Sequence, residues 1–318
     1  MNRRWTTLAL AAAFALVAAS AGCRKTQPAG GPGKPRVALV MKSLANEFFK
    51  TMEDGARAHQ QANAGEYELI ANGIKDETDV ARQIALVEQM MAQQVDAIVI
   101  APANSEALVP VCKRAADAGI VVVNIDNKFD DGALKEKGVS IPFVGPDNRK
   151  GARLAGAHLA KKLAAGDEVV IVEGAPNTFN GIQRKLGFED AMKAAGAKVV
   201  SSQTGEWMTE PASKVVSGMI TQHRKIKAVL CANDNMALGA VAALKSAGRI
   251  DDVLVIGYDN ISAVRALMKE GRILCTIDQH ADQIAVYGIQ YALEILRTKA
   301  APTDKETPVD LITADDVK

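Results

Sequence analysis

The chain has 318 residues, 48% of them hydrophobic and 24% charged, and a formal net charge of +1. That length suits two domains of ordinary size. Charges of both signs are interspersed, with neither a basic stripe for nucleic acid nor an acidic tail, so the expected partner is a neutral small molecule.

Arg3 and Arg4 precede an apolar run over residues 8–19, too short to span a bilayer and fitting the core of a secretory signal peptide. Residues 1–22 are therefore read as an export signal, which places the mature chain in the periplasm or on the extracytoplasmic face of the cell membrane. Two processing sites compete. Ala19-Ser20-Ala21 suits ordinary cleavage, while Ser20-Ala21-Gly22-Cys23 resembles a lipobox with Cys23 as the acylated residue. The lipid-anchored reading is preferred, because residues 23–35 are rich in Pro and Gly and lack an apolar period, as a flexible tether would. Gly30-Gly31-Pro32-Gly33-Lys34 within it is no phosphate loop, since it precedes the first strand and lacks Ser or Thr after the Lys.

Short apolar runs predict strands at 37–41, 67–71, 97–100, 121–125, 169–173, 198–201, 228–231 and 253–258. Between them lie helical patterns, such as 79–93 and 235–246, with apolar residues three and four apart. Strands alternating with helices imply parallel sheets, and near-continuous apolar character implies sheets covered on both faces. The chain also repeats itself. Residues 97–126 read like 228–259, and the strand at Val37 has a counterpart at Val169, so one register of 131–133 residues holds across most of two halves.

The predicted fold is α/β, with two doubly wound parallel-sheet domains whose matching loops meet at one cleft, beyond the carboxyl ends of the strands. A helix at 281–298, then Pro302 and a short strand near 309–313, has no counterpart in the first half. This segment is expected to cross back to the first domain, giving a hinge of several crossings. The N-terminal lobe is assigned 36–146 and 280–310, and the C-terminal lobe 147–279 and 311–318.

Once Cys23 is set aside, Cys112, Cys231 and Cys275 each sit in an apolar run and read as buried free thiols. His59, His158, His223 and His280 are scattered, so no metal site is expected, and no cofactor signature is present: G-x-S-x-G, G-x-G-x-x-G and Walker loops are all missing from the sequence. An enzyme is the minority reading.

Aromatic residues are only 4% of the chain, so those in predicted loops stand out: Phe48 and Phe49, after Asn46, and Trp207, the one Trp of the mature chain. An aromatic face covers the weakly polar face of a sugar ring, and planar polar groups bond its hydroxyls. Such groups cluster at predicted strand ends: Asp126, Asn127, Asn233, Asp234, Asp259 and Gln279. Plainer roles compete. Phe48 and Phe49 suit a staple on the next helix, Trp207 a loop anchor, and Asp234 reads better as an N-cap than as a ligand contact. Lys42, after the first strand, rises above a solvated lysine only by its place in a cleft-side loop.

From Val37 onward the chain resembles the type I periplasmic sugar-binding proteins, near the ribose- and allose-binding branch. The marks are LVMKSLANEFF at 39–49, VVNID at 122–126, RKLGF at 184–188, CANDNMALG at 231–239, VIGYD at 255–259 and TIDQHADQ at 276–283. The resemblance implies that Asn46, Phe49, Asp126, Arg184, Trp207, Asn233, Asp259 and Gln279 contact the sugar, with Phe48 beside them. Lys42 stands where the allose-like branch has Lys and the ribose-like branch Ser, which tilts toward a hexose; at Asn127 both branches carry a charged residue. The function implied is an extracytoplasmic monomer that captures a ribose- or allose-like monosaccharide by hinge closure and delivers it to ABC permease subunits. A sugar or autoinducer receptor working through a chemoreceptor or sensor kinase remains the alternative, and a secreted sugar-acting enzyme is the remoter one. A signal peptide where repressor relatives carry a helix-turn-helix argues against DNA binding. Alanine at Asp259 or Arg184 is expected to abolish binding and spare the stability of the ligand-free protein.

Overall fold

Val37, Leu39 and Met41 pack on one side of the first strand and Ala38 and Val40 on the other, and all five are buried. A strand apolar at every position belongs to a sheet with helices on both faces, and the computed structural model, which describes residues 33–317, has two such sheets. The signal peptide, Cys23 and the linker up to residue 32 lie outside the described residues.

In chain order the strands are β1 (Arg36–Ser43), β2 (Glu68–Ile74), β3 (Ala97–Ile100), β4 (Val121–Ile125), β5 (Phe143–Pro146), β6 (Glu168–Glu173), β7 (Lys198–Thr204), β8 (Ile226–Cys231), β9 (Leu254–Ile256), β10 (Cys275–Asp278), β11 (Lys305–Thr307) and β12 (Asp310–Thr313). The helices are α1 (Glu47–Ala62), α2 (Val80–Ala92), α3 (Val109–Asp117), α4 (Asp131–Glu136), α5 (Asn148–Ala160), α6 (Phe179–Ala195), α7 (Thr209–Gln222), α8 (Asp234–Ser246), α9 (Ser262–Lys269) and α10 (Ala281–Thr298).

One sheet runs β2-β1-β3-β4-β5-β11 and the other β7-β6-β8-β9-β10-β12, the same order twice. Every pairing is parallel except β10 with β12. The order reverses between β1 and β3 and again between β6 and β8, where a doubly wound sheet opens a crevice for ligands. The chain passes between the sheets three times: at Asp147, at Gln279 and His280, and at Pro308 and Val309. His280 Nε2 lies 2.8 Å from Asp310 Oδ2, which ties the second crossing to the third.

The expected path of the closing segment needs correction. Helix α10 does pack in the first lobe, on α1 and β4. The strand expected near 309–313 instead pairs with β10 of the second sheet, and β11, which the sequence reading missed, takes the edge of the first. Pro308 follows β11 directly; lacking an N–H to extend the ladder, it ends that edge and lets the chain cross. Cys112, Cys231 and Cys275 are free and buried, and burial pushes Cys112 and Cys275 up to about 12 and Cys231 higher still.

Candidate ligand-binding cleft

Three loops at the carboxyl ends of first-lobe strands, and four at those of the second lobe, line a small cavity between them. From the first lobe come Lys42, Asn46, Phe48, Phe49, Glu77 and Asp126. From the second come Asn180, Arg184, Trp207, Asn233 and Asp259, and Gln279 reaches in from the hinge.

Lys42, at the end of β1, is buried, with its Nζ 3.4 Å from Asp126 Oδ2. The ammonium also lies 5.4 Å from the centre of the Phe49 ring and 5.5 Å from that of Trp207, so it sits between the two aromatic walls. In the second lobe the Arg184 guanidinium is 3.8 Å from the Tyr258 ring centre and donates to the Asn148 side chain at 2.8 Å and to the Ala232 carbonyl at 2.8 Å. It also stands 3.5 Å from Asp259 Oδ1, which accepts from Gln279 Nε2 at 2.7 Å. Each lobe thus brings one buried cation and one buried aspartate.

Burial drives the Asp259 carboxyl well above its ordinary value against the pull of Arg184. Glu77 moves the same way, because burial outweighs the attraction of Lys42 and the hydrogen bond from Asn46. Three buried side-chain atoms without a hydrogen-bond partner among the described residues belong to this lining: Asp126 Oδ2, Trp207 Nε1 and Gln279 Oε1. A buried polar group left unmatched costs roughly 1–3 kcal/mol, so a ligand with hydroxyl donors and acceptors would recover that cost here.

Local sequence explains the placement. Asn46 caps α1 by accepting from the Phe48 N–H at 3.0 Å, and its amide donates to Glu77 Oε1 at 3.0 Å. The cap turns Phe48 and Phe49 inward, edge to face with ring centres 5.2 Å apart, and both also serve the first-lobe core. Asn233 caps α8 by accepting from the Met236 N–H, and its amide holds the Trp207 carbonyl at 3.1 Å. The cap of that helix is therefore Asn233 and not the expected Asp234, which is the first residue of α8 and is buried with no access to the cavity lining.

Ten of the eleven expected ligand residues line the cavity: Lys42, Asn46, Phe48, Phe49, Asp126, Arg184, Trp207, Asn233, Asp259 and Gln279. Asn127 does not. Its amide donates to the Pro102 carbonyl at 2.9 Å, and its Oδ1 accepts from Ser105 and from the Asn180 backbone. Conversely, Glu77 and Asn180 line the cavity and were missed. Glu77 stands in a polar run, DETD, that reads as a solvated turn; Asn180 lies in a helix with no amphipathic stripe to mark its cavity face.

The sequence pattern of the periplasmic binding protein domain matches residues 37–300. The chain belongs to the periplasmic binding protein family. Membership implies an extracytoplasmic location. This periplasmic binding protein is 58% identical, over 287 residues, to the D-ribose/D-allose-binding protein of Pseudomonas aeruginosa, covering 89% of the chain and 90% of that relative. Its fold is similar to an ABC transporter solute-binding protein from Burkholderia multivorans, with a TM-score of 0.87, 58% identity, and coverage of 88% of this chain and 100% of that one. It is also similar to a periplasmic solute-binding protein from Actinobacillus succinogenes with bound D-allose, at a TM-score of 0.84, 34% identity, and coverage of 89% and 99%. The relatives are binding proteins by name, and both fold class and family agree with the resemblance read from the six motifs.

Proposed function

We propose that the protein captures a neutral monosaccharide of the ribose or allose class between its two lobes and delivers it to an ABC permease. The observation that carries this reading is the cavity itself, walled by Phe49 and Trp207 and edged by paired polar groups from both lobes. Asp126, Asp259 and Gln279 would accept from sugar hydroxyls, Arg184 and Lys42 would donate, and the aromatic rings would cover the ring faces. Three lining carboxylates against two cations disfavour an anionic sugar. Because each lobe holds half the partners, only closure satisfies every hydroxyl, and ligand and closed state stabilise one another. With the last crossing at Pro308 and Val309, the lobes are taken as 36–146 with 280–308 and 147–279 with 309–318. The 58% identity to a D-ribose/D-allose-binding protein supports the sugar class, and an export signal with lipidation at Cys23 would hold the protein near its permease.

The test is a thermal-shift screen of residues 36–318 against pentoses, hexoses and polyols. A ligand at a hundred times its Kd stabilises the native state by about 2.7 kcal/mol, so a cognate sugar moves Tm by several degrees. A flat panel from well-folded protein would overturn the sugar reading.

A further inference from the structure

Helix α6 begins without a side-chain cap of its own. Its flanking Thr178 spends its hydroxyl on the Ala175 carbonyl at 2.6 Å, and no side chain within the helix takes the first N–H. The four leading N–H groups of a helix need partners, and here the first two find them in the other lobe. The Phe179 N–H donates to Ser105 Oγ at 2.8 Å and the Asn180 N–H to Asn127 Oδ1 at 3.2 Å. Ser105 Oγ in turn donates to Asn127 Oδ1 at 3.3 Å, and the Ser105 N–H donates to the Asn177 carbonyl at 3.1 Å.

Helix α9 repeats the arrangement. Its flanking residue is Ile261, which has no side-chain acceptor, and the Ser262 N–H and hydroxyl donate at 2.7 and 2.8 Å to the two carboxylate oxygens of Glu47, on α1 of the first lobe. A carboxylate at a helix N-terminus also meets the positive end of the helix dipole. By contrast α1, α2, α4, α5 and α8 are each capped by their own flanking Asn or Asp.

We propose that the first lobe caps α6 and α9 of the second in trans, and that Ser105, Asn127 and Glu47 thereby set the stability of the closed state, and so the affinity, without touching the ligand. The inference rests on the reading that the lobes part to admit a sugar. When they part, these helix ends exchange a fixed cap for water; when they meet, the cap forms. Removing a cap ordinarily weakens a helix measurably, and here that loss falls on the closed state alone. The coupling is direct, because α6 carries Asn180 and Arg184 into the cavity and Glu47 follows Asn46. Asn127 is therefore a positioning residue of closure.

The experiment uses the exported chain with Ser105→Ala, Asn127→Ala and Ser105→Thr, read by binding of D-ribose and D-allose and by amide exchange at Phe179 and Asn180. Each alanine variant is expected to raise Kd about tenfold, mostly through faster dissociation, with the ratio of the two sugars' Kd values unchanged. Ser105→Thr keeps the hydroxyl and restores wild-type affinity. Exchange at Phe179 should quicken in Ser105→Ala, and at Asn180 in Asn127→Ala. Unchanged Kd in Ser105→Ala, or an altered sugar ratio in Asn127→Ala, overturns the proposal. If the wild type binds neither sugar, the sugar reading fails by itself and the capping is judged by exchange: protection at Phe179 that does not change in Ser105→Ala refutes it.

Discussion

Asp126 and Asp259 stand 133 residues apart in the sequence, end matching segments of the two lobes, and both hold a positive φ, +61° and +124°. Each is buried beside a single cation of its own lobe, Lys42 at 3.4 Å and Arg184 at 3.5 Å. Left-handed backbone at a non-glycine residue costs on the order of 1–3 kcal/mol and persists where the surroundings force it. A positive φ at the matching place in both lobes, facing one cavity, is what a carboxylate aimed at a shared ligand would require.

The strain can be separated from the charge at Asp259. Glycine adopts a φ of +124° freely, whereas alanine does not, and both substitutions leave Arg184 without its partner. Asp259→Gly should therefore be more stable than Asp259→Ala by about 1 kcal/mol, while neither binds sugar. Urea denaturation of the two ligand-free variants checks this; equal midpoints would mean that the site stores no strain.

Much of this architecture is legible in the sequence, and the gaps have physical causes. The repeat announces itself through long apolar strands such as β1 and β8, buried on both faces, and the register carries Asp126 onto Asp259. The strands β5, β10 and β11 were missed because three or four residues with Gly-Pro, Thr or charged neighbours make no apolar run. Asn127 reads as a ligand residue from its place among the polar groups at predicted strand ends, but a strand end turning through a left-handed residue sends consecutive side chains different ways. Nothing local in the sequence reveals that its side-chain Oδ1 meets a helix of the other lobe.

Arg184 changes an expectation drawn from sequence alone. A residue that only touched ligand could be truncated without cost, but this guanidinium is buried, stacks on Tyr258 and satisfies Asn148, Ala232 and Asp259. Breaking one side of a buried ionic pair costs about 3–5 kcal/mol. Arg184→Ala should thus lose binding and also lower the Tm of the ligand-free protein by many degrees, in contrast to the spared stability expected above. A differential scanning calorimetry trace matching wild type would show the buried contacts to be energetically idle.

Trp207 owes its position to two glycines. A Cβ at Gly174 would overlap the benzo edge of the indole, and one at Gly181 would approach it to 3.1 Å. In the first lobe the places matching these glycines hold Lys42 and Phe49, so one lobe fills this space with a strand-end lysine and a phenylalanine of the first helical turn and the other with the indole. Gly174→Ala should push the ring toward Lys42 and weaken sugar binding about tenfold or more, with a shifted Trp207 emission maximum in the ligand-free protein. Unaltered emission and affinity would mean that the loop at 205–208 adjusts without strain.

Stability should fall as pH rises from about 4 to about 7. Asp234 is fully buried, with Oδ1 accepting from Thr276 at 2.8 Å and Oδ2 from the Ile261 N–H at 3.0 Å; burial outweighs these bonds and pushes its carboxyl up to about 7. Glu77 and Asp259 are raised for the same reason. In the unfolded chain such groups lose their protons near pH 4. Between the two values the native state binds more protons, so the stabilisation is complete below about pH 4 and is lost as pH climbs through the folded value. His158, lowered by burial, acts in the opposite sense but is partly exposed and contributes less. The ligand-free protein should accordingly melt higher at pH 5 than at pH 7.5. Asp234→Asn, neutral throughout, starts from a lower stability because its amide faces the Ile261 N–H, yet should show a smaller difference between the two pH values. A wild type that melts higher at pH 7.5, or a variant with an undiminished difference, would mean that Asp234 is ionised in the folded protein across this range.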